Sequence, residues 1–304
     1  MFDFTIQKQS TIKTYKSLYD LIIIGGGPAG LNAALYAKRK GLDILLIAKE
    51  LGGQLHNTTT VDNYLGHILL SGDGLSDAFV KHVSSLSVDI RGVKTIKKEN
   101  NDFIVILENG EVLNSKTVLL ATGSTPKKLG ITGEDTYAAH GISYCTICDA
   151  PFYKGKHVVV AGGGNSAVEA ALDLVPYAKH ITIIHRSQFR ADQSLLDKLK
   201  LHPQITVMLE TQITGVFGKE HLNYLALFDK QTQTKKVFET EGLFIAIGNN
   251  PNTSLLNDLV EMNAFGEIIV DYNQIIIAAA DGAKAALGIS HYLTYTYKEK
   301  THGI

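Results

Sequence analysis

The sequence predicts an α/β protein of two doubly wound, three-layer domains, the second inserted in the first. Three observations carry this: a glycine-rich turn flanked by a strand and a helix, a second such turn with the same flanks, and matching runs of strand-forming residues after each. With 304 residues, the chain is long enough for two cores rather than one.

The first turn follows the β-branched run Tyr19-Asp20-Leu21-Ile22-Ile23-Ile24 and reads Gly25-Gly26-Gly27-Pro28-Ala29-Gly30. Leu31 to Lys40 has helical spacing, and Asp43 to Ile47 is the next strand. Strand, turn, helix and strand make a βαβ unit of the dinucleotide-binding, Rossmann-like kind. Gly25 permits the tight turn, Gly27 lets backbone approach a pyrophosphate, and Gly30 lets the helix pack close on its strand. The helix start then offers the phosphates free N–H groups and the positive end of its dipole.

The second copy has a strand from Lys156 to Ala161, the turn Gly162-Gly163-Gly164-Asn165-Ser166-Ala167, a helix from Val168 to Leu174 and a strand from Ile181 to Ile184. Both copies continue alike. The first runs through Val93 to Lys98, Phe103 to Leu107, an Asn109-Gly110 hairpin and Thr117 to Ala121, ending in Ala121-Thr122-Gly123. The second runs through Ile205 to Leu209, Tyr224 to Phe228, Lys236 to Glu239 and Gly242 to Ile247, ending in Ala246-Ile247-Gly248. The boundaries fall near Thr122 and Ala246, giving 1–121 with 247–304 as one domain and 122–246 as the other.

Composition excludes several classes. Apolar residues are 45% and charged residues 19%, with six prolines, so the chain is neither disordered nor collagen-like. Lys and Arg number 29 against 30 Asp and Glu, and nucleic acid is not an expected partner. Residues Met1 to Lys16 lack the pattern of a signal or transit peptide, and no apolar run is long enough to span a membrane; a cytoplasmic location is expected.

Both cysteines lie together in Cys145-Thr146-Ile147-Cys148. Two dinucleotide sites suggest two redox cofactors, and a CxxC pair can relay electrons by closing and opening a small disulfide. A zinc knuckle needs four ligands, and beyond the cysteines only His140 lies close by, so no metal site is expected. Two inert buried cysteines are the remaining alternative. Asp149 supplies a carboxyl for proton transfer, or serves as a turn or cap residue.

These residues resemble the low-molecular-weight thioredoxin reductases. The resemblance runs through Gly25 to Gly30, Gly52-Gly53-Gln54-Leu55, Val61-Asp62-Asn63-Tyr64-Leu65-Gly66, Ala121-Thr122-Gly123 and Ser143 to Asp149. It continues in Gly162 to Ala167, Gly242 to Gly248, Pro251-Asn252-Thr253, and Gln274 with Ala278 to Ala283. The placement of CxxC shortly before the second glycine turn is its most specific feature. The resemblance implies a homodimer with FAD held by Gly25, Gly27, Pro28, Ala29, Gly30, Gly53, Gln54, Leu55, Thr59, Asn63, Val93, Ala121, Thr122, Gly123, Gln274 and Ile275. A nicotinamide nucleotide, NADPH foremost, would be held by Gly162, Gly164, Asn165, Ser166, Ala167, Arg186 and Arg190. It further implies that Cys148 is nearest the flavin, that Cys145 attacks a thioredoxin-like protein, that Asp149 is the acid/base, and that the nicotinamide domain swings between turnovers.

The chain departs from that family in places. His185-Arg186-Ser187-Gln188-Phe189-Arg190 lacks the second of a usual arginine pair, leaving NADPH, NADH or a ferredoxin as donor. Ala48 stands about where many such folds place a ribose-binding carboxylate. Asn273 meets Gln274 where relatives carry a Gly-Asp segment that holds FAD: either the protein lacks that element, which removes a clamp from the flavin, or residues are missing there, the favoured expectation, which leaves Asn273 and Gln274, or a pair within two residues of them, with Cα atoms well beyond the 3.8 Å of a peptide link. A non-enzymatic redox or nucleotide sensor is the rival reading from another class.

Overall fold

The computed structural model describes residues 15–58, 60–83, 86, 88–256, 259–260, 262 and 274–297. The first unit runs through β1 (Tyr19–Gly26), α1 (Pro28–Arg39), β2 (Ile44–Leu51), α2 (Gly72–His82), β3 (Val88–Ile90), β4 (Val93–Glu99), β5 (Asp102–Leu107) and β6 (Val112–Leu120). Its sheet has the order β3-β2-β1-β6-β5-β4, with β3, β2, β1 and β6 parallel and β5 and β4 antiparallel.

Strand alternation builds the two faces. Leu21, Ile23, Ile44 and Leu46 pack with Leu31, Ala33, Ala34 and Ala37 of α1, while Ile22, Ile24, Leu45 and Ile47 pack with Val93, Ile96, Val105 and Leu107. A continuous apolar run thus becomes a strand buried on both sides, as a parallel sheet requires.

The chain crosses over at β7 (Ser124–Pro126). The second unit holds α3 (Glu134–Tyr137), β8 (Ile142–Ser143), α4 (Thr146–Asp149), β9 (His157–Ala161), α5 (Asn165–Leu174), β10 (His180–Ile184), α6 (Gln193–Leu199), β11 (Ile205–Met208), β12 (Thr211–Gly218), β13 (Leu222–Asp229), β14 (Thr234–Glu239) and β15 (Gly242–Ile245). Its parallel sheet is ordered β11-β10-β9-β15-β8, and β12-β13-β14 forms an antiparallel sheet of its own. Val158, Val160, Ile181 and Ile183 face the alanine-rich side of α5. Val159, Ala161, Ile184 and Leu243 face Ile213, Val216, Leu225 and Leu227 of the antiparallel sheet. The chain returns through β16 (Asn249–Pro251), which pairs with β7, to α7 (Ile275–His291).

The compact units divide at Ser124/Thr125 and Asn250/Pro251, and the short stretch just before Tyr64 groups with the second unit. Strand β12 has no counterpart among the sequence expectations, because Gly215 breaks its alternation where the register shifts between Ile213 and Gly215. The junction of Asn273 with Gln274 lies outside the described residues, as does Thr59. Among the described residues no helix is long and apolar enough to cross a membrane.

Candidate functional site

The two glycine turns are built alike. Gly25 has φ +120° and Gly162 φ +151°. A side chain on Gly25 would collide with the Ala121 carbonyl, and one on Gly162 with the Ala246 carbonyl. The same strands are tied at the same point, Ala121 N–H donating to Ile24 O at 2.8 Å and Ala246 N–H to Ala161 O at 2.9 Å. Helix α1 is capped by Gly27 and α5 by Gly164, both with extended backbone and without a side-chain cap. Where a Cβ on Gly27 or Gly164 would stand there is open space. Uncapped N–H groups beside that space suit a pyrophosphate in each unit.

In the first unit the turn meets the Gly52-Gly53-Gln54-Leu55 segment. Gly52 N–H donates to Gly26 O at 2.8 Å, and a Cβ on Gly53 would lie 3.2 Å from Gly27 Cα. Gln54 Nε2 donates to Ser124 O at 2.7 Å, Leu55 is buried, and the Thr122 and Gly123 carbonyls accept from Asn252 Nδ2 and N. Pro28, Ala29 and Gly30 form the first turn of α1; Ala29 O leaves room opposite it only for Gly282 of α7. Gln274 and Ile275 open α7, which is also held by Asn32 Nδ2 donating to Ala279 O at 2.7 Å. Asn63 is exposed. Val93 opens β4, its side chain buried in the core with Leu107, its partner on β5.

In the second unit Arg190 N–H donates to Gly163 O at 2.7 Å, which fixes Arg190 beside the turn. His185 closes β10, is buried, and would clash with any side chain on Gly163. Burial first, then the Arg190 and Arg186 charges, hold the His185 imidazole below its ordinary pKa. Lys230 Nζ donates to the Arg186 carbonyl at 2.9 Å, adding a cation that sequence spacing does not reveal. Asn165 is held by Asp192 through two bonds of 2.8 Å each. Ser166 and Ala167 complete the first turn of α5.

Cys145 and Cys148 form a disulfide with Cα atoms 5.3 Å apart, Cys145 standing just before α4 and Cys148 inside it. Among the described residues no cluster of three or more His, Cys, Asp or Glu could hold a metal. Asp149 ends α4. Its Oδ2 accepts from Ser143 Oγ at 2.6 Å, while Oδ1 is buried with no hydrogen-bond partner. Burial pushes this carboxyl up, against the lowering effect of the Ser143 bond. On the other side of the cysteines Tyr144 Oη donates to Glu134 Oε1 at 2.9 Å. Glu134, buried, also accepts from Leu129 and Gly130 N–H. Neither Ser143 nor Glu134 stands out in the sequence as a support for the pair, because the contacts come from folding.

The chain is similar to several known proteins. A 37% identical relative over 301 residues is the NADH dehydrogenase of Bacillus subtilis (strain 168), covering 91% of this chain and 59% of the relative. A component of the alkyl hydroperoxide reductase of Staphylococcus aureus (strain NCTC 8325 / PS 47) is 36% identical over 302 residues, at 91% and 60%. This chain thus spans about three-fifths of the length of the curated relatives it matches. The crystal structure of thioredoxin reductase from Streptococcus pyogenes MGAS5005 superposes with TM-score 0.88 at 31% identity, over 92% of this chain and 99% of that one. Residues 19–277 match the model of the pyridine nucleotide-disulphide oxidoreductases. The chain is accordingly a member of that family, whose enzymes use FAD and NAD(P)H and whose low-molecular-weight thioredoxin reductases share its two Rossmann-like domains.

Proposed function

We propose that this chain is a dithiol-disulfide reductase that takes electrons from NADPH, by way of FAD, to the Cys145–Cys148 pair and on to a thioredoxin-like protein or domain. The observation that carries the reading is a closed CxxC disulfide directly followed by a buried carboxyl, in a chain with two pyrophosphate cradles. When bound, FAD supplies two-electron transfer between a nicotinamide and a disulfide, which no side chain here can carry out.

The residues of the chain handle the sulfur and the protons. Two electrons and two protons open the disulfide to a Cys145 thiolate, a Cys148 thiol and an Asp149 carboxylic acid. Cys145 Sγ attacks the partner's disulfide, and the departing partner thiolate takes the Asp149 proton. Asp149, now a carboxylate, takes the proton of Cys148. Cys148 Sγ then attacks Cys145 Sγ in the mixed disulfide, restores the internal bond and releases the second partner thiolate, which Asp149 protonates. The partner has gained two electrons and two protons. Asp149 ends as a carboxylate, ready for the next cycle.

Support for NADPH comes from the end of β10. A nucleotide without the 2′-phosphate is usually met there by an acidic side chain, and an arginine accommodates the phosphate when it is present. Here His185 and Arg186 take that place, with Arg190 and Lys230 close by. The resemblance also supports a homodimer, read directly by sedimentation.

The test is anaerobic bleaching of the bound flavin by NADPH, NADH and reduced ferredoxin in turn, followed by turnover with a thioredoxin-like disulfide. NADPH is expected to bleach the flavin fastest. Bleaching by ferredoxin alone replaces the donor, and protein that neither carries nor takes up flavin overturns the whole reading. Cys145→Ser should abolish turnover, by about a thousandfold or more, while flavin reduction persists. A nucleotide sensor would have no turnover to lose.

A further inference from the structure

Ser143 ends β8 two places before the first cysteine and is a buried residue, 4% exposed. Its hydroxyl has three partners. Oγ lies 2.6 Å from Asp149 Oδ2, accepts from Cys145 N–H at 3.1 Å, and lies 3.3 Å from the Cys145 carbonyl oxygen. A hydroxyl has one proton and two lone pairs, so it cannot donate to Asp149 and to the Cys145 carbonyl together.

The charge of Asp149 decides between them. An ionised carboxyl only accepts, and the Ser143 proton must then point to Oδ2. A protonated carboxyl donates its own proton to Oγ, and the Ser143 proton turns to the Cys145 carbonyl. In both arrangements the Cys145 N–H keeps its bond to Oγ, and the Cys145 carbonyl keeps the Asp149 N–H at 3.1 Å. A proton on Oδ1, which is buried without a partner, would find no acceptor, so the carboxyl proton belongs on Oδ2 against Ser143.

The geometry points to Ser143 as the positioning residue of the Asp149 acid, a hydroxyl that reverses its donor direction with each proton transfer and ties Asp149 to the backbone of Cys145. The inference rests on the reductase reading for the role of Asp149; the hydrogen-bond geometry does not. Ionisable groups on the elements next to α4 are Tyr153 on the turn that follows it and, on the exposed side of the neighbouring α5, Glu169 and Asp173; Lys156, His221 and Glu241 line a cavity of about 360 Å³ together with Asp149. Burial is the main influence on the Asp149 carboxyl, Ser143 opposes it, and Tyr153 feels the Asp149 charge in return.

The decisive experiment follows the Asp149 carboxyl carbon by ¹³C NMR in the full, flavin-loaded chain kept as the disulfide, where neither sulfur titrates. The resonance is identified by its loss in Asp149→Asn. Ser143→Ala should move the Asp149 titration to higher pH, because the carboxylate loses its donor, and Ser143→Thr, which keeps a hydroxyl, should return it. Turnover should fall about tenfold in the alanine variant and recover in the threonine variant. An unchanged Asp149 midpoint in Ser143→Ala, or a shift that threonine does not reverse, overturns the assignment. Should the alanine variant not fold, the wild type decides: the Cys145 amide nitrogen must titrate with the Asp149 midpoint, and an amide that does not sinks the proposal. Inactivity toward every protein disulfide with the shift intact removes the reductase reading alone; full activity without the shift removes the Ser143 role alone.

Discussion

The turns Gly25–Gly30 and Gly162–Ala167 leave their strands with the same backbone path, yet they differ in the residue that closes them and in what faces them. At Gly30 a side chain would run into the Gly25 carbonyl, whereas the corresponding place in the second turn holds Ala167, its methyl fully buried against the second unit's core. The middle glycines differ too. A Cβ on Gly26 would meet the Glu50 carbonyl and Ala48, and one on Gly163 would meet the His185 ring. A backbone cradle suits any pyrophosphate. The side chains that follow the second strand of each unit are different: Ala48 and a Lys49 paired with Glu108 at 2.8 Å in the first, His185 and Arg186 in the second, and under the proposed function these select the nucleotide.

The harshest way to break this comparison is to fill one turn and then the other. Gly25→Ala combines φ +120° with a collision against backbone and should cost about 3 kcal/mol or more, with loss of bound flavin read from absorbance per chain. Gly162→Ala should leave the flavin in place and abolish its reduction by NADPH. Equal flavin content in both variants and the wild type would show that the turns do not divide the work as described.

A milder change separates cradle from selector. Arg186→Ala should raise KM for NADPH by about tenfold to a hundredfold, leave KM for NADH nearly unchanged and leave flavin content alone. Steady-state kinetics with both donors checks it, and an equal loss for both would make Arg186 a general support.

The third test uses pH, since the His185 imidazole stands against Gly163 of the second turn, where Gly26 of the first meets the Glu50 carbonyl, Ala48 and Leu51. The His185 pKa is lower in the folded chain than its ordinary value of about 6.5, so the unfolded chain binds a proton first as pH falls. Stability from this residue is therefore present above that pH and is lost as pH drops toward the folded value. Thermal unfolding between pH 8 and 5 should decline less steeply in His185→Gln than in the wild type; parallel slopes would contradict the burial of a neutral ring.

The smallest effect is expected from Ala167→Gly, which makes the second turn resemble the first. It removes a buried methyl and adds backbone freedom at a helix start, at a cost of about 1 kcal/mol, with NADPH binding retained. Chemical unfolding measures it. A loss above 3 kcal/mol would mean that the methyl is needed to shape the cradle.

Several parts of the molecule are open to reading before any folding. The glycine turns are, because the positive φ of Gly25 and Gly162 admits almost no other residue and the strand and helix beside each are contiguous in the chain. The same holds for the cysteine pair, where a spacing of three brings the sulfurs together within one turn of helix. Helix α2 is harder to see because its sequence begins Gly-Asp-Gly; Ser71 Oγ, which accepts from Gly74 N–H, is what sets its start. Strand β12 is hidden by its bulge at Gly215.

Local sequence therefore determined which segments become strands, where the backbone must turn sharply, and that two sulfurs would pair. Only the tertiary structure decided that Ser143 meets Asp149, that Glu134 receives the Tyr144 hydroxyl, and that Lys230 reaches the Arg186 carbonyl across 44 positions of chain. Periodicity and glycine are statements about one residue and its neighbours, whereas a hydrogen bond between distant side chains exists once burial of the core has brought their strands within reach of each other.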